Sequence, residues 1–146
     1  MVDGVQEGED IKDEFTLPAG MDAIPELVKF VSTHAWEGGF TDARIEQIGL
    51  AVAEALTNTV RFACEDGCGE ITVKCGFFED FAFLIDIIDT GKQFTMLVAG
   101  AFPETQDFLE QGEVPSLKQL KKTARSIEYR RDGSLNKNIL SLVIPK

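Results

Sequence analysis

Basic residues are scarce in this 146-residue chain: 14 Lys and Arg stand against 25 Asp and Glu, for a net charge of −11. A surface of that sign repels phosphate backbones, so nucleic acid is not expected as a partner. Histidine occurs once, as His34, and cysteine three times, as Cys64, Cys68 and Cys75. The cysteines lack the second pair that zinc patterns use, and His34 is far away in sequence. Their odd number reads as free thiols. No apolar run approaches the roughly 20 residues needed to cross a bilayer, so no membrane association is expected. The opening MVDGVQEGEDIKDE is acidic where a secretory signal would be basic and then apolar, and a cytoplasmic protein is expected. No repeat recurs and no Pro- or Ser-rich linker interrupts the chain. A flexible acidic tail over residues 1–14 and one domain over residues 15–146 follow.

What is present is ordered periodicity. Phe15 to Leu17 reads as a short strand. Asp22 can cap a first helix, in which Ile24, Leu27, Val28, Val31 and Ala35 recur at helical spacing. Gly38-Gly39 ends it. Thr41 or Asp42 caps a second helix to about Ala63, with Ile45, Ile48, Val52, Ala55 and Thr59 as its inner stripe. Ile71, Val73, Cys75 and Phe77 then alternate with polar residues, and a return strand runs from Phe81 to Asp89. The stretch from Gln93 to Pro115 lacks periodicity and carries Glu104, Asp107, Glu110 and Glu113, as a lid or binding loop would. Ser116 to Ala124 reads as a short helix, followed by strands at Ser126–Arg131 and Asn138–Ile144. Helices on one face of a mainly antiparallel mixed sheet make an α+β two-layer sandwich.

Two places in this pattern carry candidate chemistry. Glu54 and Asn58 stand at i and i+4, on one helix face beside the apolar stripe. A carboxylate one turn from an amide oxygen suits a hard cation such as magnesium. Glu54 could equally act as a general base on a hydroxyl, or be an exposed helix charge with Asn58 a satisfied polar residue. The second place is Asp89-Thr90-Gly91, where a carboxylate ends a strand on its buried side and is costly there without a hydrogen-bonding partner. Asp89 could accept from an exocyclic amine, with Gly91 letting a ring approach the backbone. His34 lies in a helix whose other residues fit packing, and reads as structural.

The runs IGLAVAEALTNTVRFA and ITVKCGFFEDFAFLIDIIDTGKQF, with LKQLKKTARSIEYRRDG, resemble the anti-sigma-factor serine-protein kinases of the GHKL superfamily, which carry a histidine-kinase-like ATPase domain. The resemblance extends from about Phe15 to the C-terminus. It implies the GHKL (Bergerat) ATPase fold, ATP and Mg2+ as cofactors, Glu54 as catalytic base and Asn58 as magnesium ligand. It also implies adenine recognition by Asp89 of the Asp89-Thr90-Gly91 motif, with Thr90 and Gly91 beside it; Lys118, Lys121 and Lys122 could offset the lid's acids near a phosphate, or simply be solvated. The implied function is an ATP-binding regulator phosphorylating a serine of an anti-anti-sigma partner and holding a sigma factor, with a homodimer as the family's usual state. The alternative is a non-catalytic partner-switching module. Three departures from the family pattern matter, and the alternative rests on the last of them. Phe62 stands where the family often has histidine, Gln93 stands near an expected glycine, and Glu113-Val114-Pro115-Ser116-Leu117 replaces a glycine-rich lid. Pro115 has no N–H to offer a phosphate, and Val114 resists the conformations open to glycine.

Overall fold

The computed structural model describes residues 13–64, 69–79, 82–97 and 116–146. The expectations for the acidic head over residues 1–12, for Cys68 and for the lid from residue 98 to 115 lie outside the described residues. Strand β1 (Asp13–Pro18) is followed by helices α1 (Ala23–Glu37) and α2 (Asp42–Asn58), and α2 runs on into one π-helical turn at Thr59–Ala63. The hairpin β2 (Glu70–Phe78) and β3 (Ala82–Asp89) comes next, then the short helix α3 (Lys118–Thr123) and the strands β4 (Ser126–Asp132) and β5 (Lys137–Pro145). The first strand thus begins two residues before the expected Phe15. Asp13 and Glu14 continue the pairing with β2, opposite Cys75 and Lys74.

The five strands stand in the order β1-β2-β3-β5-β4, and all four pairings are antiparallel. The fold is therefore the expected α+β sandwich, with no parallel pair among the described strands. β5 returns between β3 and β4, so the chain's last strand lies against the strand that ends in Asp89. Alternation decides which side is core: Phe83, Ile85, Ile87 and Asp89 are buried, while Leu84, Asp86 and Ile88 are only partly so. The buried side joins Leu27 and Val31 of α1 and Ile48, Val52 and Ala55 of α2 in one cluster. Burying a side chain such as Leu27 contributes roughly 1.5–3 kcal/mol, so this shared face is the main source of stability.

Local signals mostly act as the sequence implies, with some corrections. Thr41 caps α2, its Oγ1 accepting from the Arg44 amide at 3.2 Å. Asp22 makes no such bond. It is already helical in backbone, and the first amides of α1 donate instead to the carbonyls of Gly20 and Met21. α3 is shorter than the expected Ser116–Ala124, because Ser116 is committed elsewhere and Leu117 is not helical. Of the cysteines, Cys75 is a free thiol that burial pushes up to about 12, whereas Cys64 is disulfide-bonded. Free thiols were therefore the wrong expectation for Cys64. His34 bonds the Phe30 carbonyl at 2.9 Å and Asp13 at 3.0 Å, tying α1 to β1 as a structural residue.

Candidate functional site

The register of the sheet builds the first part of the site. Asp89 at the end of β3 pairs with Asn138 of β5, and Asn138 pairs with Arg131 of β4. Three polar residues far apart in sequence thus form one row across neighbouring strands. Asp89 is 4% exposed, and its Oδ1 accepts from the Gly91 amide at 2.8 Å and from Asn138 Nδ2 at 2.9 Å. Asn138 is the hub. Its Nδ2 also donates to the Lys92 carbonyl at 2.7 Å, and its Oδ1 accepts from the Tyr129 hydroxyl at 2.7 Å and from Arg131 at 3.1 Å. With the Phe94 amide, 3.5 Å from Oδ1, that pattern of two acceptors on one side and three donors on the other admits a single orientation of the amide. Arg131 also donates to the Gly91 carbonyl at 2.9 Å.

The network fixes Asp89 and leaves it short of partners. Burial pushes its carboxyl above the ordinary value, while Asn138, the Gly91 amide and the Arg131 charge pull the other way. Among the described residues only Oδ1 is hydrogen-bonded. Oδ2 is a buried acceptor available to a donor from outside the chain.

Gly91 has a structural job as well. A Cβ there would lie 2.3 Å from the Ala63 carbonyl oxygen, so the missing side chain makes room for the π-turn. The same Ala63 carbonyl accepts from the Lys92 amide at 3.1 Å. Phe94 stacks on Phe62 at 5.4 Å between centroids, and Met96 Sδ lies 3.4 Å from Asn58 Nδ2. Residues 91–97 therefore run from the Asp89 row along the π-turn to Asn58. Phe62, standing where the resemblance called for histidine, is a core residue, 1% exposed.

The second part of the site lies on α2. Glu54 and Asn58 share one face, as their spacing requires, and line a cavity of about 260 Å³ with Leu50, Ala53, Thr57, Arg61 and Ser116. Both are engaged by the chain itself. Glu54 Oε2 accepts from the Ser116 hydroxyl at 2.5 Å, and Oε1 accepts from the Leu120 amide at 2.8 Å. Asn58 Nδ2 donates to the Ser116 carbonyl at 2.7 Å, and its Oδ1 accepts from the Ser116 amide at 3.3 Å. Glu54 is thus more than an exposed helix charge: it caps α3, whose own Leu117 supplies no side-chain cap.

The remaining sequence candidates stand apart from both groups. The Thr90 hydroxyl lies 3.5 Å from the Glu70 amide, at the start of β2. Lys118 opens α3 as an exposed residue with no hydrogen bond or ion pair among the described residues. No cluster of three or more His, Cys, Asp or Glu forms among the described residues. The sequence reading missed Asn138, Arg131, Tyr129 and Ser116. Asn138 alone carried a signal, as a polar residue entering a strand of apolar neighbours.

Residues 17–143 match the family model of the histidine kinase-like ATPase domain, and the chain belongs to that family. Among individual proteins, the chain is 35% identical over 82 residues to the serine-protein kinase RsbW of Bacillus subtilis (strain 168). It is 32% identical over 83 residues to the serine-protein kinase RsbW of Bacillus cereus (strain ATCC 10987 / NRS 248). These matches take in 56% and 57% of this chain and 51% of each relative, so the chain spans about half the length of the curated relatives it matches. The fold also resembles a chain of the SiaB–SiaC complex from Pseudomonas aeruginosa, with a TM-score of 0.59, 10% identity and 99% coverage of both chains. No helix among the described residues is long and apolar enough to cross a membrane.

Proposed function

We propose that this chain is an adenine-nucleotide-binding regulatory module of the serine-protein-kinase, anti-sigma type. The observation that carries this reading is Asp89, a buried carboxylate with one oxygen held by Gly91 and Asn138 and the other left to accept. An exocyclic amine supplies the missing donor, and a base carrying a carbonyl at that place would set two acceptors against each other. At the other end, Asn58 offers an oxygen ligand for the magnesium of a triphosphate and Glu54 a base beside it, once Ser116 and Leu120 have been released. Magnesium bound with the nucleotide would neutralise phosphate charge there. Glu54 would then take the proton of an acceptor hydroxyl, Asn58 would hold the magnesium, and the exposed Lys118 would add positive charge.

The partner in this reading is an anti-anti-sigma-like protein bearing the acceptor serine, or a sigma factor, in a cytoplasmic setting and with self-association into a homodimer. A second reading, a non-catalytic partner-switching module, is favoured by the engagement of both Glu54 oxygens within the chain. Calorimetric titration of Mg-ATP and Mg-ADP into the chain and into Asp89→Asn tests the first. Micromolar binding lost in the variant supports it, and absence of binding by the native chain leaves the partner-switching reading. Phosphate transfer to a serine-bearing partner, absent in Glu54→Gln, would eliminate the second.

A further inference from the structure

Ser116 makes contacts that a substrate would make. Its hydroxyl donates to Glu54 Oε2 at 2.5 Å, within the reach at which a general base takes a proton. Its peptide groups are read from both sides by one side-chain amide, the carbonyl by Asn58 Nδ2 at 2.7 Å and the amide by Asn58 Oδ1 at 3.3 Å. The Leu120 amide takes the other Glu54 oxygen at 2.8 Å. Every hydrogen-bonding atom of the Glu54–Asn58 side-chain pair is therefore in use, and Asn58 is 3% exposed.

We propose that Ser116 is a built-in pseudosubstrate, which occupies the acceptor-hydroxyl position on Glu54 and latches the Glu54–Asn58 pair shut. What it excludes is a divalent cation with its nucleotide phosphates and the hydroxyl of a serine-bearing protein segment. The proposal rests on the nucleotide-binding reading above and adds its regulation. The latch is built to open. Ser116 and Lys118 are exposed, α3 has only six residues, and its first turn has no side-chain cap of its own. A helix so short holds its place through tertiary contacts: Leu120 and Thr123 are buried and keep α3 in the core, so the latch opens at Ser116, which precedes the helix. Glu54 thus has two exclusive uses, as cap of the chain's own helix or as base for an incoming hydroxyl. A ligand reaches the pair only in the fraction of molecules with the latch open, and its apparent affinity falls by that fraction.

The test is calorimetric titration of Mg-ATP into the native chain, Ser116→Ala, Ser116→Thr and the double variant Ser116→Ala with Asp89→Asn. A hydroxyl bonded to a carboxylate is a strong hydrogen bond, and its removal is expected to tighten binding about tenfold in Ser116→Ala. Ser116→Thr keeps the hydroxyl and is expected to bind like the native chain. The double variant is expected not to bind. Equal or weaker binding by Ser116→Ala overturns the latch and leaves the nucleotide pocket standing. Absence of binding by both native chain and Ser116→Ala overturns the latch and the nucleotide reading together. A phosphate found on Ser116 by mass spectrometry after incubation with Mg-ATP also overturns the proposal, since Ser116 would then be a substrate and not a plug.

Discussion

The two ends of the site are held by opposite means. At the Asp89 end the partners come from three strands in register, and the hub Asn138 is 3% exposed. At the Glu54 end the partners come from the start of a six-residue helix, where Ser116 and Lys118 are exposed. A sheet row cannot move without breaking its ladder, so Asp89 is preorganised. The exposed Ser116 ahead of the helix can come away while Leu120 stays buried, so the Glu54–Asn58 pair is conditional. A candidate site built of two such parts is rigid in one and yielding in the other.

The greatest loss is expected from Asn138→Ala, which breaks the rigid end. It leaves Asp89, the Lys92 carbonyl, Tyr129 and Arg131 without their shared partner, in a setting where unsatisfied groups are expensive. Urea unfolding should show a loss of about 3–4 kcal/mol. Gly91→Ala comes next, because its new methyl would collide with the Ala63 carbonyl of a backbone that carries Asn58. A loss of about 2–3 kcal/mol is expected in the same assay, and an unchanged midpoint would mean that the π-turn yields.

The rigid end should also show a pH dependence of its own. Burial raises the Asp89 carboxyl above its ordinary value of 3.8, so between that value and the raised one the folded chain binds more protons than the unfolded chain. Stability from this group is full below 3.8 and is lost as pH rises through the raised value. Asp89→Asn should flatten that decline in unfolding measured from acid toward neutral pH, while removing nucleotide binding. Stability and function then pull in opposite directions at one residue. The yielding end should respond least. Glu54→Ala should cost only about 1 kcal/mol, the worth of a helix cap, with faster hydrogen exchange at the Leu120 amide. A loss as large as that of Asn138→Ala would erase the distinction between the two ends.

Much of the architecture was legible in the order of residues. Alternation in Ile71–Phe77 and Phe83–Asp89 announced a hairpin with one buried side, because side chains on a strand point to opposite faces in turn. The spacing of Glu54 and Asn58 put them on one face for the same kind of geometric reason, and Thr41 marked the start of their helix. The resemblance in those runs then located both halves of the site. The packing role of Gly91 was not legible, since only the folded chain brings Ala63 against it. Asp22 was misread as a cap because its backbone conformation depends on the turn before it.

Local periodicity and residue type were therefore enough to set the elements, their buried faces and the chemistry available at Glu54, Asn58 and Asp89. Who partners whom was settled only on folding. Asn138 and Arg131 reach Asp89 because β5 returns between β3 and β4, and Ser116 reaches Glu54 across 62 positions of chain. Such pairings are set by register and packing between distant segments, and no local pattern of residues encodes them.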